Sequence, residues 1–387
     1  MKQPTSYRSM GVSLIELMIA LAIGSLLILV LLQVFAASRT AYQLSEGMAR
    51  AQENARFAVD YLQRDLRMAG HFGCVNDQSH LQTPGALVSQ FAAVTADTSG
   101  IDFLVSIRGY DAAGTVPGSQ LTLGAAAARR WVPDTPAAIN ALGALPGSDI
   151  IELRFLGNEG VPVSTITNTA TQTIIAVPPA RWSTLTQNGV AAPTMFGIAD
   201  CSYADVFPAA AINAAAGTVT VDRLINRYTP QPVGQTRLYR AESLVYYIAP
   251  GASGLPALWR ARSNNAGVYP AVSHREELVE GIENLQLMYG LDRVETLGTA
   301  PPSGYIDVNQ PASGVSPNVA EQWRRVGLVQ IGILASSPDR AAAEPPAGTA
   351  RHRRALGVEF LPATSNDSRF RASYETTVAL RNRLYGN

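Results

Sequence analysis

Lysine is almost absent from this chain. Lys2 is the only lysine among 387 residues, so a P-loop, a Ser-x-x-Lys motif and Schiff-base chemistry are excluded from everything that follows it. The sequence also lacks the G-x-S-x-G, H-E-x-x-H and C-x-x-C patterns of hydrolases, zinc peptidases and thiol oxidoreductases. We therefore predict no catalytic residues, no metal site and no cofactor, and we expect that the protein is not an enzyme.

Charged residues are also scarce. They make up 16% of the chain and balance to a formal net charge of zero, which argues against a protein that coats nucleic acid. Hydrophobic residues reach 47%, with 32 glycines and 24 prolines, so the sequence favours a folded, turn-rich β body over disorder. A chain of this length can bury a sizeable core.

Cysteine occurs only twice, at Cys74 and Cys201. In an oxidising compartment the two cysteines would form a disulfide. Closing so long a loop contributes on the order of 4 to 5 kcal/mol in the chain-entropy model. The alternative is a pair of buried free thiols, because an isolated cysteine packs well as a small hydrophobic residue.

Candidate metal ligands are few and incomplete. His71 and Cys74 have a metal-like spacing, but two ligands do not make a zinc site, so a loop at a helix end is favoured. A polar stretch contains Asp292, Glu295 and Asp307 without the regular calcium-loop pattern, which favours a solvated turn.

The densest basic cluster contains Arg351, Arg353 and Arg354, with lesser clusters at residues 324–325 and 129–130. Such arginines can contact DNA phosphates or anionic surfaces. No aromatic residues are interleaved with them to stack on bases, which favours an exposed loop. Nucleic acid is retained only as an alternative partner of this cluster.

The most informative stretch is near the N-terminus. Residues 17–38 form a run of 22 residues without charge, about 33 Å of helix and enough to cross a bilayer. Glu16 stands at its head, and an ionisable residue in such a place indicates a function. Lys2 and Arg8 precede the run, which predicts a cytoplasmic N-terminus. A cleaved secretory signal or a plain anchor is the alternative.

After this run, small and apolar residues recur at steps of three and four, which is typical of an amphipathic helix. Gly70 is a candidate C-cap, so we predict one helix over residues 12–69, with Gly24 and Gly47 as points of bending or close packing. The apolar stripe consists of Leu44, Met48, Ala51, Ala55, Ala58, Leu62, Leu66 and Ala69. The opposite face places Glu46 with Arg50, Glu53 with Arg56 and Asp60 with Arg64.

Beyond residue 70 the pattern changes to short strands without long helical crossovers, which favours antiparallel pairing. Alanine-rich pieces at residues 125–128, 136–145 and 209–216 suggest short helices or insertions. Strands are predicted at residues 101–108, 149–156, 172–177, 217–222, 243–249, 257–262, 285–289, 325–335 and 374–380.

Residues 11–17, G-V-S-L-I-E-L, resemble the class III signal of type IV pilins and pseudopilins. The resemblance implies that prepilin peptidase cuts after Gly11, that Val12 becomes the N-methylated first residue, and that Glu16 is the fifth. The family usually has Phe at the position of Val12. Cleavage before the apolar run leaves the run on the protein.

Further stretches resemble the PilW type of minor pilin: 51–58, AQENARFA; 65–70, DLRMAG; 244–247, LVYY, with 257–260, ALWR; 279–284, VEGIEN; and 376–383, TTVALRNR. Residues 79–235 carry little of this resemblance. The implied fold is α+β and pilin-like, with a long N-terminal helix packed on an antiparallel sheet. The implied parts are a leader at 1–11, a transmembrane half of the helix at 12–38, an amphipathic half at 39–70 and a β-rich periplasmic domain at 71–387.

Cleavage would create a positive amine on Val12. The Glu16 carboxylate of the same or a neighbouring subunit could neutralise it, since pairing recovers much of the cost of burying each charge. Apolar contacts between helices would supply most of the cohesion. The sequence of one chain does not decide which subunit provides the carboxylate that pairs with the amine.

The resemblance implies a minor pilin of the inner membrane, with its body in the periplasm, that joins a complex which primes or caps the pilus. Expected partners are prepilin peptidase, other minor pilins, the major pilin and the inner membrane. The alternatives are a large pseudopilin of type II secretion and a subunit of a DNA-uptake or adhesive tip. A membrane-tethered enzyme would need a polar cluster that the sequence does not reveal.

Overall fold

A long N-terminal helix and a β-rich body make up the protein. The described part of the body contains five sheets, and the one that the helix packs on is antiparallel throughout, as expected for the predicted α+β class. The computed structural model describes residues 11–95, 98–124, 130–224, 228–270, 274–315, 320–340, 353–362 and 368–384.

Helix α1 (Leu14–Met68) is continuous over 55 residues. Ser13 caps its start, because its Oγ accepts a hydrogen bond from the backbone N–H of Glu16 at 3.2 Å. Gly70 follows its end with φ of 76°, a conformation that glycine adopts without strain. The helix runs through Gly24 and Gly47 without interruption, and Gly47 is buried where the helix meets the body.

Short helices connect parts of the body. In the described residues they are accompanied by 3-10 helices at Ser99–Ile101 and Pro179–Thr186. The α-helices are α2 (Ser79–Gln82), α3 (Ala137–Asn140), α4 (Ala320–Arg324) and α5 (Arg381–Leu384).

The strands divide into short ones in the first part of the body and longer ones after residue 236. The short ones are β1 (His71–Phe72), β2 (Val75–Asn76), β3 (Leu87–Ser89), β4 (Ile107–Ala112), β5 (Gln120–Thr122), β6 (Trp131–Val132), β7 (Ile150–Leu156), β8 (Val161–Pro162), β9 (Thr165–Asn168), β10 (Gln172–Ala176), β11 (Met195–Ala199), β12 (Ala204–Pro208), β13 (Ala211–Asn213) and β14 (Thr218–Asp222). The later ones are β15 (Arg237–Pro250), β16 (Pro256–Arg262), β17 (Arg275–Glu280), β18 (Ile282–Asp292), β19 (Ile306–Gln310), β20 (Val326–Arg340), β21 (Arg353–Ala355), β22 (Val358–Leu361) and β23 (Arg369–Ala379).

The sheet beneath α1 has the strand order β19-β18-β20-β23. Leu287 on β18 pairs with Ile331 on β20, and both belong to the largest apolar core. Ala58 and Leu62 of α1 lie in the same core and are fully buried. Because the apolar stripe of the helix meets alternate residues of these strands, this contact fixes the helix on the body.

The ten-stranded sheet is built around β15. Along one edge β15 pairs first with β11 and then with β16, and along the other edge it pairs with β8 and β7. Two smaller sheets, β13-β14-β10-β9 and β21-β22-β5, lie beside it, and β1 pairs with β2. The middle of the chain therefore supplies most of the strands that lie outside the sheet beneath α1.

Asp149 joins the two large sheets. Its Oδ1 accepts the backbone N–H of Ala112 on β4 and its Oδ2 accepts the backbone N–H of Leu287 on β18, each at 2.8 Å. Burial, reinforced by the nearby Asp111 carboxyl, raises the pKa of Asp149 well above its usual range. The carboxyl group thus ties strands of different sheets at one point.

The C-terminal helix α5 closes onto the end of α1. Asn382 donates to the backbone carbonyl of Arg67 at 2.8 Å. Arg383 is fully buried, places its Nε 3.3 Å from Oδ2 of Asp77, and donates through Nη2 to the carbonyl of Trp323 at 2.8 Å. The last described turn of the chain is therefore packed against the segment that leaves α1.

Most predicted strands are present, with two corrections to the predicted elements. Residues 101–108 do not form one strand, because a 3-10 helix ends at Ile101 and β4 begins only at Ile107. Residues 209–216 contain strand β13 instead of a helix, whereas residues 136–145 do contain helix α3. Residues 125–128 lie outside the described part of the chain. The strand predicted over residues 101–108 was wrong because Phe103 and Val105 lie in a turn and are buried while Leu104 between them is partly exposed. This spacing resembles the alternating burial of a strand.

Candidate functional site

The predicted cleavage segment lies free at the start of α1. Val12 is 71% exposed, and a Cβ added to Gly11 would meet no atom within 4 Å. Gly11 also has no positive φ. The fold of this chain therefore places no steric requirement for glycine at position 11.

Glu16 lies in the first turn of α1, where a negative charge interacts favourably with the helix dipole. Its backbone N–H is bound by Ser13. Within the described chain no ion pair or hydrogen bond engages its carboxylate. The Glu16 side chain is thus exposed and available to a group from outside the fold.

The exposed half of α1, residues 14–38, touches no part of the body. Large apolar side chains point outward all around it, and the least exposed of those from Val12 to Phe35 is Val30 at 45%. Among the described residues, α1 is the helix long and apolar enough to cross a membrane. An uncovered apolar surface of this size indicates a lipid or protein contact.

The packed half of α1, residues 39–68, lies on the body as the stripe predicted. Ala51, Ala55, Ala58, Leu62 and Leu66 are fully buried. The N-terminal end of the stripe is less buried, since Met48 is 38% exposed.

Polar contacts fix the register of the packed half. Asn54 donates to the carbonyl of Glu280 at 3.0 Å, and Gln63 donates to Oγ1 of Thr376 at 2.9 Å. Of the predicted pairs on the outer face, Glu46 and Arg50 form one at 2.8 Å. Arg64 instead contacts Asp65.

Asp65 is the buried polar anchor of the packed half, and the sequence analysis did not single it out. It is buried at the helix end, where its Oδ2 accepts hydrogen bonds from Arg260 at 2.8 Å and from the hydroxyl of Tyr246 at 2.5 Å. Burial and the Asp65 charge raise the pKa of Tyr246 well above its usual range, so the phenol stays a donor. The signal for Asp65 was its position three residues after Leu62, on the apolar stripe.

An ionic ladder extends from Asp65 across the sheet of β15, β16 and β17. Arg260 donates through Nε to Glu276 at 2.6 Å, and Arg240 donates through Nε to Glu242 at 2.6 Å. Arg262 lies between these two pairs, and its contacts connect them. Charges of opposite sign alternate along the ladder, which consists of Asp65, Arg260, Glu276, Arg262, Glu242 and Arg240.

Cys74 and Cys201 form a disulfide, with their Cα atoms 4.7 Å apart. The pairing excludes the alternative of free thiols and removes Cys74 as a metal ligand. His71 lies nearby with Nδ1 2.9 Å from the carbonyl of Leu156, and its burial lowers the pKa of the imidazole. The disulfide links the chain just after α1 to the middle region between β11 and β12.

The arginine clusters are largely engaged within the fold. Arg353 donates to the carbonyl of Arg371 at 2.8 Å, and Arg354 lies 3.3 Å from Glu359 while remaining mostly exposed. Arg351 lies outside the described residues. Arg324 donates to the carbonyl of Leu104 at 3.0 Å. The cluster therefore offers Arg354 as its exposed cation in the described part.

The polar stretch around Asp292 forms a turn held by backbone donors. Oδ1 of Asp292 accepts the N–H of Val294 at 2.9 Å and the hydroxyl of Ser303 at 2.8 Å, and Oδ2 accepts the N–H of Gly304 at 2.7 Å. These contacts occupy both carboxylate oxygens. Among the described residues no group of three or more His, Cys, Asp or Glu side chains is arranged to hold a metal ion.

Residues 245–382 match the family model PilW, described as type IV pilus-assembly protein W. This is about a third of the chain, and it includes β16 to β23 and therefore the whole sheet beneath α1. The match confirms the PilW-type resemblance over this region. It also covers Arg260, Glu276 and Arg262 of the ionic ladder.

No curated protein matches the chain significantly in sequence. One similar solved structure is a type IV-like pilin from Thermus thermophilus, 13% identical, with a TM-score of 0.29 over 87% of this chain and 100% of that chain. A likeness this low supports no conclusion about fold or function.

Proposed function

We propose that this chain is a minor pilin that takes part in the assembly of type IV pili. One observation carries the proposal: a continuous helix has one half packed on a sheet within the PilW-matched region and one apolar half with no partner among the described residues. An element built in this way holds a body at one end and enters a helical bundle or a membrane at the other.

The proposed life cycle begins with a single-pass inner-membrane precursor, with the leader at residues 1–11 in the cytoplasm and the domain at 71–387 in the periplasm. Prepilin peptidase cuts between Gly11 and Val12, and the new amine of Val12 is methylated. The fold has room for a side chain at position 11 and does not itself require glycine there. A requirement for glycine at this position would instead come from the peptidase that cuts after it, which supports this proposal.

After cleavage the amine of Val12 lies one helical turn before Glu16. In the apolar environment of a helical bundle each charge is costly alone, so pairing between Val12 and Glu16 of the same or a neighbouring subunit favours one axial register. The residues 12–38 and 39–70 then act as the bundle-forming and body-carrying parts of the helix. The partners are other minor pilins and the major pilin, in a priming or tip complex.

The test uses a strain in which the gene is deleted and the full chain is supplied again. We expect the wild type to restore pili, counted by electron microscopy, while Glu16→Ala is cleaved and stable yet restores few. Glu46→Ala is the matched control, because Glu46 is a half-exposed acid of the same helix whose only ion pair lies on the surface.

Normal pilus numbers with Glu16→Ala would contradict the role of the charge. A deletion strain that keeps its pili and motility but loses exoprotein secretion would instead identify a pseudopilin of type II secretion.

A further inference from the structure

A cleft interrupts the ten-stranded sheet along one edge of β15. The ladder between β15 and β11 ends at the pair Arg240 and Phe196, and the ladder between β15 and β16 begins only at Leu244 and Arg262. Between these pairs the strand registers give residues 241–243 partners on β7 alone, and the carbonyl of Ser243 also accepts the backbone N–H of Ser263 at 2.9 Å. The sheet is therefore open at this edge beside Ala241 and Glu242.

The cleft has a volume of about 250 Å³. Its walls come from the loop at residues 189–194 on one side and from the ends of β15 and β16 on the other. Small apolar groups form most of the loop wall, including Val190, Ala192 and Pro193, and charged groups of the ionic ladder form the floor.

Two arginines on this floor differ in how their donors are used. Arg240 is saturated: it donates to Glu242 at 2.6 Å and to the carbonyls of Leu185 at 3.0 Å and Gln187 at 2.6 Å. Arg262 has only two side-chain contacts in the described structure, at 3.3 Å to Glu242 and 3.4 Å to Glu276. Both are long for a charge-assisted hydrogen bond.

The neighbours of Arg262 leave its charge the least compensated in the ladder. Glu242 makes its closer contact with Arg240, and Glu276 makes its closer contact with Arg260. Arg262 thus shares two carboxylates that are each bound more tightly elsewhere, although its side chain is only 15% exposed. A guanidinium has five donors in a planar fork, and this fork fits a carboxylate with two parallel hydrogen bonds.

We propose that this cleft receives an acidic side chain from a peptide segment of a neighbouring pilus subunit, with Arg262 donating to its carboxylate. The inference rests on the proposed function, because that function supplies a neighbouring subunit. It adds a specific recognition point on the body, distinct from the apolar surface of α1.

The cleft is large enough to receive one amino-acid side chain. The cleft holds about eight water volumes, which suits one amino-acid residue with its side chain. Val190 and Pro193 would contact the methylene groups of that side chain while Arg262 binds its carboxylate.

The test places a diazirine amino acid at Val190 of the full chain in piliated cells and identifies the cross-linked peptides by mass spectrometry. We expect peptides of a pilus subunit with Asp or Glu next to the linked residue. Arg262→Gln should lower the yield about tenfold, as the loss of a charge-assisted hydrogen bond predicts. Arg181→Gln is the control, since Arg181 is an exposed arginine paired with Glu159 on the surface.

A second variant, Ala192→Phe, fills the cleft from its exposed loop and changes no charge. It should lower the cross-linking yield as well while the thermal unfolding temperature stays that of the wild type. The proposal is overturned by the absence of a cross-link, by peptides without a nearby acid, or by yields that neither variant lowers. Pili are counted in the same strains. If the cross-linking test fails but the deletion strain lacks pili, the cleft proposal is overturned and the proposed function still stands.

Discussion

The exposed half and the packed half of α1 form one continuous helix, but within the described part of the chain only the packed half finds partners. Leu62 and Leu66 are fully buried against the sheet, whereas Leu26 and Leu31 are each more than 60% exposed. The exposed half is apolar all round and carries no charge after Glu16, whereas the packed half has one apolar face and one charged face. The apolar residues of the packed half stabilise this fold, whereas those of the exposed half can be buried only by a contact outside it.

The two halves should therefore respond differently to substitution. Changes near the exposed half are expected to abolish processing or assembly and to leave the body stable. Changes at the packed half and at the segment just after it are expected to destabilise the body. Each prediction below tests one side of this separation, in order of decreasing effect.

Gly11→Val has the largest expected effect, a complete loss of processing. The precursor should accumulate in the membrane with residues 1–11 attached, and pili should be absent, while thermal unfolding of the body is unchanged because Gly11 contacts nothing. Mass spectrometry of the N-terminus provides the measurement. A mature N-terminus at Val12 in this variant would refute the assigned cleavage site.

Loss of the disulfide tests the chain just beyond the packed half. Replacing Cys74 and Cys201 together by serine should lower the free energy of unfolding by on the order of 4 to 5 kcal/mol, as expected for a cross-link that closes so long a loop. Thermal unfolding of the full chain in detergent measures it. The wild type should also run faster on a gel without reductant, and equal mobility with and without reductant would speak against the bridge.

Asp65→Ala tests the polar anchor of the packed half. It should cost about 3 to 5 kcal/mol, because Arg260 would remain buried without its carboxylate on α1. Asp60→Ala is the matched control, since Asp60 is exposed on the same helix and its loss should change stability by less than about 0.5 kcal/mol. Equal unfolding temperatures for the two variants would show that the ladder does not hold the helix.

His71→Gln has the smallest expected effect and concerns pH. Burial lowers the pKa of folded His71 below its ordinary 6.5, so the unfolded chain binds the proton more readily. Stability contributed by the neutral imidazole is full above pH 6.5 and is lost as the pH falls through 6.5 toward the lower folded pKa. Unfolding measured at several pH values should show a shallower loss in the variant than in the wild type, and identical pH profiles would exclude this contribution.

The sequence predicts those parts of this protein in which the apolar residues follow one regular spacing. The helix was expected over residues 12–69 and runs over Leu14–Met68, because apolar spacing and a glycine stop agree there. The signal-like segment could be recognised because Glu16 stands alone beside an uncharged run. The PilW-type resemblance was confirmed where β16 to β23 build the sheet beneath α1.

What could not be predicted depends on contacts between distant residues. Strand β15 is twice as long as expected because Arg240 and Glu242 neutralise each other and are buried together, which hides them from any hydrophobic pattern. The role of Asp65 depends on Arg260, which lies far from it in the sequence and contacts it only in the folded body. The cleft beside Arg262 arises from a gap between strands that no local pattern records.

The meeting of α5 with the end of α1 has a consequence in time. Asp77 is synthesised long before Arg383, yet these two side chains are buried together beside the chain that leaves the helix. Their contact can form only after Arg383 has been synthesised, whereas α1 is made well before it. The packing of this part of the body therefore waits for a residue that is made much later than the helix it closes on.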